Sequence, residues 1–154
     1  MARANADTVT SDTNFEHMNW HDCSIHAWSI ETEHYDLAMD IDYIQQWLAP
    51  STPLAAFSFL ISPATLVFHE VRDISIRVPS AASPLKISRI RRENGQLTPN
   101  GKYTDYHWVV ECAHGWMEMQ ATGYTQYLRA APIRTHSQSL SVEQRGGISF
   151  TRNT

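Results

Sequence analysis

Much of what would place this sequence quickly is missing from it. There are two cysteines, Cys23 and Cys112, in 154 residues. Two are too few for a disulfide framework or a structural zinc site. Both lie in apolar, strand-like stretches, which predicts buried free thiols. No run approaches the roughly 20 apolar residues that a membrane helix requires. The first residues lack the charged-then-apolar order of a secretory signal. These absences predict a soluble, cytoplasmic protein with no membrane partner. Positive charge is scarce as well: the formal net charge is -4. A nucleic-acid binder carries a basic domain or stripe. Here only Lys86, Arg89, Arg91 and Arg92 cluster, and they run into Glu93-Asn94-Gly95. That reads as a solvated hairpin end, so no nucleic-acid partner is expected. Neither G-x-G-x-x-G nor G-x-x-x-x-G-K-[ST] occurs, and Gly146-Gly147 is a lone pair in a polar stretch, so no nucleotide cofactor, nor any other, is expected.

What is abundant is aromatic. Five Trp, six Tyr and five Phe stand in a chain that is 42% hydrophobic and 18% charged. Large rings suit pleated, half-buried surfaces. The clearest periodicity is Tyr35, Leu37, Met39, Ile41 and Tyr43 alternating with Asp36, Ala38, Asp40 and Asp42. Period two marks a strand with one buried face. Thr32-Glu33 before it predicts a turn, making Cys23 to Glu31 the first strand of a hairpin. Further strands are expected at Phe57–Ile61, Leu66–Glu70, Asp73–Val78, Leu85–Arg92, Tyr103–Ala113, Trp116–Thr122 and Tyr124–Arg129. Ala49 to Pro53 and Pro79 to Pro84 read as loops, Ser62-Pro63 as a break, Asn94-Gly95, Pro99-Asn100-Gly101 and His114-Gly115 as turns, and Gly123 as a bend. Strands spaced by about ten residues predict a mostly β protein, an antiparallel β-sandwich or barrel. One or two short helices are allowed, at Asn14–Trp20 and Ile44–Leu48. Residues 1–13 are small and polar and are expected to form a mobile tail, leaving 14–154 as a single β-rich domain. The polar end, Ser137 to Thr154, is expected to add an edge strand at Ile148–Thr151 or to stay loose.

Two constellations could carry chemistry. His17, His21, Asp22 and His26 cluster, and the acidic strand adds Asp36, Asp40 and Asp42. Imidazole and carboxylate are common ligands of zinc and related ions. If the hairpin brings His26 beside the aspartates, a three-ligand site with an open position would follow, as in hydrolases. No H-E-x-x-H, H-x-H or C-x-x-C spacing supports this, so no metal ligand is assigned. The alternative is that Asp22 caps a turn while Asp40 and Asp42 face water. Cys23 near His21 and His26, or Cys112 near His114, could pair thiol with base, but nucleophilic catalysis needs them to meet in space. The tryptophans Trp20, Trp28, Trp47, Trp108 and Trp116 are either core or the lining of a ligand or protein interface.

The stretch Phe15-Glu16-His17-Met18-Asn19-Trp20-His21-Asp22-Cys23-Ser24-Ile25-His26, followed by Leu37 to Ile44 and Trp47, resembles a group of small bacterial proteins. These open with a tryptophan-histidine-aspartate motif and continue into a hairpin ending in an acidic-aromatic strand. His21-Asp22 resembles, more distantly, the opening of immunity proteins of polymorphic-toxin systems. The likeness covers about Phe15 to Trp47 and weakens through Pro63 to Val78. It leaves out the N-terminal tail and the Lys86–Arg92 strand. No established activity attaches to the group, so it implies no catalytic residue. The immunity likeness implies a toxin-blocking protein partner. The expected function is therefore a binding or interaction protein, with Trp20, His21, Asp22, His26, Asp40 and Asp42 as candidate binding residues. The alternative is a small metal-dependent hydrolase using the same His/Asp set. Exposed edge strands would also permit a homodimer.

Overall fold

The computed structural model describes residues 8–80 and 85–152. Its spine is the acidic strand. β3 (Asp36–Leu48) pairs with β2 (Ser24–Glu31) on one side and β4 (Ser58–His69) on the other. The expected alternation holds: Leu37, Met39 and Ile41 point to one face and are fully buried. The expected turn closes the β2–β3 hairpin, with Tyr35 left-handed at φ 57°.

β4 also pairs with β9 (Gly123–Leu128), and β9 with the short β1 (Val9–Ser11), while β10 (Ile133–Thr135) lies on the other end of β4. The remaining strands are β5 (Arg72–Arg77), β6 (Leu85–Leu97), β7 (Thr104–Cys112) and β8 (Gly115–Ala121). All pairings are antiparallel, in the order β1-β9-β4-β3-β2-β6-β7-β8-β5. β2 and β6 share only Ser24↔Lys86 and Ile25↔Leu85. The sheet folds at this narrow joint, so its halves face each other without closing. Phe68 of β4, Trp108 of β7 and Tyr124 of β9 meet across the gap, with ring centroids 5.5 Å (Phe68–Trp108) and 5.8 Å (Trp108–Tyr124) apart. Met117, Met119 and Ala121 face inward from β8, and Trp108 and Val110 from β7, as their period predicts. The architecture is mostly β and sandwich-like. Its helices among the described residues are a 3-10 turn over Asp12–His17 and α1 (Val142–Arg145). None of the described helices is long and apolar enough to cross a membrane.

Several local expectations are corrected. Ile44–Leu48 is strand, not helix: β3 absorbs it through a bulge between Ile44 and Gln46. The helix expected over Asn14–Trp20 is the 3-10 turn, which ends at His17. Pro63 does not break β4. Its carbonyl accepts from Arg129 N–H at 2.8 Å, so its nitrogen faces the side where β10 gives way to β9. A missing donor costs little at such a changeover. Asn94-Gly95 is a bulge inside β6, not a hairpin turn. Asn94 is left-handed at φ 56°, and a Cβ on Gly95 would sit 2.6 Å from the Tyr106 ring. The hairpin turns at 98–103, over the expected Pro99-Asn100-Gly101 turn, where Gly101 N–H donates to Thr98 O at 2.8 Å. The expected tail is ordered from Thr8 onward, because Val9–Ser11 finds the free edge of β9. Residues 1–7 and 81–84, the latter in the expected Pro79–Pro84 loop, lie outside the described residues. The C-terminal stretch forms no strand at Ile148–Thr151. Residues 136–152 run as a strap across the outer face of β3 and β4, anchored by His136 to Phe57, Leu140 to Asp42 and Thr65 to Thr151.

Candidate functional site

The sequence candidates separate into two places. The first is the outer face of β3. Alternation puts Asp36, Asp40 and Asp42 on this face, and all three are buried. They do not face water, because the strap and Arg129 cover them. Arg145, the last residue of α1, reaches down to both carboxylates: its Nε donates to Asp42 Oδ1 at 3.0 Å and its Nη1 to Asp40 Oδ2 at 2.9 Å, while Nη2 donates to Asp40 Oδ1. Arg129 donates to the same Asp40 oxygen at 2.8 Å, and Ser149 N–H to the other at 3.0 Å. Asp42 Oδ2 accepts from His26 Nε2 at 2.7 Å and Leu140 N–H at 2.9 Å. Further along, Arg152 bridges Asp36 and Glu31, and His69 links Asp36 to Thr125. The C-terminal strap is thus fastened by guanidinium–carboxylate forks, the strongest common ion-pair geometry.

Burial alone would raise the Asp42 pKa. The hydrogen bonds from His26 and Leu140 and the charges of His26 and Arg145 outweigh it, holding the carboxyl below its usual value. Burial would likewise lower the Arg145 pKa, but Asp40 and Asp42 raise it. Both groups are therefore held charged. The hairpin brings His26 to Asp42, yet the oxygens of Asp40 and Asp42 already accept from arginines, a histidine and backbone N–H groups. Among the described residues no group of His, Cys, Asp or Glu is arranged to hold a metal ion. The thiols are equally quiet. Burial pushes Cys23 up to about 12 and Cys112 up to about 11. A nucleophilic cysteine needs the opposite shift. Cys23 Sγ accepts from Ile44 N–H at 3.4 Å, and His114 is exposed in its turn.

The second place is the end of the molecule where β3 turns into β4. His21 is exposed and lies nearly parallel to Trp47, with centroids 6.4 Å apart and planes 15° apart. Trp47 meets Phe59 at 5.0 Å and Phe57 at 6.4 Å, both edge to face. Trp47 is 41% exposed, Phe57 49% and Leu54 fully exposed. His21 Nδ1 donates to Ser88 O at 3.1 Å. Beside it Asp22, left-handed at φ 66°, accepts from Gln138 Nε2 at 3.0 Å, and Gln138 accepts in turn from Lys86. The ring stack therefore has a fixed polar base.

Of the sequence candidates, His26, Asp40 and Asp42 come together in the buried network, and His21 with Asp22 at the aromatic end. Trp20 joins neither. It is core, with Nε1 donating to Gln126 Oε1 at 2.8 Å and its ring 5.5 Å from Tyr124. His17 is exposed at the end of the 3-10 turn. Trp108 is core, and Trp116 is partly exposed on β8. Within the basic run, Arg89 and Arg91 pair with Glu111, Lys86 donates to Gln138, and Arg92 lies over the Phe15 and Tyr106 rings at 4.4 and 4.5 Å. Sequence reasoning missed Arg129, Arg145 and Arg152. The available signal was three aspartates on one strand face, which demand cations if that face is covered. It also missed Leu54 and Phe57, apolar residues flanking a proline loop. Set against family models, curated proteins and solved structures, the chain matches none.

Proposed function

We propose that this chain is a non-catalytic binding domain whose contact surface is the aromatic end formed by His21, Trp47, Leu54 and Phe57. One observation carries this reading: the exposed rings of Trp47 and Phe57 meet edge to face at a hairpin end, His21 stacks on Trp47 and is itself held by Ser88, and Leu54 is fully exposed in the same connection. A soluble surface scatters such residues, and a cluster of them marks a binding site. Aromatic anchors on a rigid base also lose little entropy on binding. The partner is a protein, and the likeness of Phe15–Trp47 to toxin-immunity proteins makes a blocked toxin the leading partner class. In this reading the acidic strand contributes no contact surface, since it is buried beneath the strap. It acts in the cytoplasm.

Site-specific photocrosslinking tests the proposal. p-Benzoylphenylalanine at Phe57 should give one discrete heterologous adduct in cells, and at Ile30, exposed elsewhere, none. Trp47→Ala should then weaken the purified complex by roughly 30-fold, the cost of a hot spot of about 2 kcal/mol. Adducts of the chain with itself alone would replace the partner with a homodimer. Equal labelling from both positions would remove the site.

A further inference from the structure

β5 ends the strand order. On one side it pairs with β8, and on the other no described residue pairs with it. A free edge leaves a row of backbone donors and acceptors open to another strand. β5 is regular where Ser75 stands opposite Glu118, Ile76 opposite Met117 and Arg77 opposite Trp116. A bulge between Arg72 and Ser75, with Asp73 left-handed at φ 52°, precedes this stretch. Pro79, which has no N–H to offer, follows it. A strand added to this edge is therefore short.

Two observations show what the edge lacks. The first is cover. Ile76 and Met117 are directly opposite, so both point to the inner face. Met117 is 1% exposed and Ile76 40%. The inner face is left open on the side away from β8. The second is charge. The other charged side chains of β5 to β8 have polar partners, as Arg72 has Asp105 and His107 has Glu93 and Glu118. Asp73 and Arg77 differ. Both are exposed, and neither side chain makes an ion pair or hydrogen bond among the described residues. These two unmatched charges are opposite in sign and flank Ser75 symmetrically.

The strand is thus complementary to itself. Laid antiparallel against a second β5 with a two-fold axis at Ser75, it sets Ser75 opposite Ser75, Ile74 opposite Ile76 and Asp73 opposite Arg77, the last two pairs twice over. Opposite residues share a face, so the inner faces of the two copies are continuous. Ile74 already packs against the core, and beside it Ile76 of the second copy would lose its exposed side. An axis at Ile76 would instead set Asp73 opposite Pro79 and leave both charges unmatched. We infer that two copies of this chain associate through β5, antiparallel and centred on Ser75, joining their β5–β8 halves into one sheet. The interface is isologous. Its ladder is short, so the dimer is weak and forms as concentration rises. This inference does not rest on the hairpin-end reading.

Analytical ultracentrifugation of the full chain across a concentration series tests it. The wild type should pass from monomer to dimer. Arg77→Asp and Asp73→Arg each place like charges opposite one another and should weaken the dimer by roughly 10-fold. An equimolar mixture of the two variants restores both opposite-charge pairs and should dimerise about as well as the wild type. Ser75→Cys checks the register. Facing Cα atoms of an antiparallel pair stand roughly 4.5–5.5 Å apart, within disulfide reach, so mild oxidation should link Ser75→Cys into a dimer and leave Leu54→Cys, at the hairpin end, unlinked. Thermal melts separate lost association from lost folding. Should a charge variant melt early, Ser75→Cys decides. A wild type still monomeric at about 1 mM, single variants that dimerise undiminished, a mixture that does not recover, or linkage through Leu54→Cys in place of Ser75→Cys would each overturn the inference.

Discussion

The two faces of β3 are buried to the same degree by opposite means. Leu37, Met39 and Ile41 on the inner face are fully buried among aromatic and aliphatic side chains. Asp40 and Asp42 on the outer face are just as inaccessible, but their neighbours are Arg129, Arg145 and His26. The inner face gains stability from non-directional burial and tolerates imperfect partners. The outer face is stable only while each charge keeps its partner. Two buried charges recover their desolvation cost through good geometry alone, and removing one partner strands the other. The comparison shows that an alternating strand identifies which residues share a face but leaves open whether the polar face meets water.

The contrast can be broken from either side. The largest effect is expected from Arg145→Met, which keeps the hydrocarbon and removes the charge. Asp40 and Asp42 then lose their common partner, and stability should fall by about 3–5 kcal/mol in urea unfolding. A loss below about 1 kcal/mol would mean that the strap is only loosely attached. On the inner face, Met39→Ala should cost about 2–4 kcal/mol by cavity formation, without the salt sensitivity of the outer face. Next comes acid. The folded Asp42 carboxyl titrates below its ordinary value of 3.8, so the folded state binds this proton less readily than the unfolded one. Its contribution is complete above about pH 4 and is lost as the pH falls through the lower folded value. Melting temperature measured downward from pH 5 should drop less steeply in Asp42→Asn than in the wild type. Parallel curves would place the acid-sensitive group elsewhere. The smallest expected effect is from Trp47→Ala. Its ring is 41% exposed, so stability should change by only about 1 kcal/mol while binding at the hairpin end is lost. A large thermal loss would make Trp47 a structural ring.

The legible part of the fold was its periodic part. The inward residues of β3, β7 and β8 were readable because alternation with large apolar side chains has one physical meaning, a half-buried strand. Residues that act through remote partners were not. Pro63 looks like a terminator unless one knows that β10 yields to β9 beside it. Asn94-Gly95 is a strong turn signal, and the same left-handed preference serves a bulge equally well. Of the candidate residues, His26 was expected to share a face with the aspartates if Cys23–Glu31 paired with the acidic strand, and the hairpin brings it to Asp42. Their meaning differed because Arg145 lies about a hundred positions later in a segment too polar to suggest burial. At the hairpin end, His21 was visible as a candidate, but Leu54 lies in a stretch without periodicity, and Phe57 was read as the first residue of a strand, although β4 begins at Ser58 and leaves its ring half exposed.

A double-mutant cycle between Arg145 and Asp40 tests the central claim most directly, that a remote strap makes the acidic face of β3 part of the core. Arg145→Met, Asp40→Leu and their combination would be compared by urea unfolding. The prediction is a coupling of about 2–3 kcal/mol, with the double variant clearly more stable than the sum of its parts requires. Strict additivity would mean that Arg145 and Asp40 do not depend on each other, and the acidic face would return to being an ordinary solvated one.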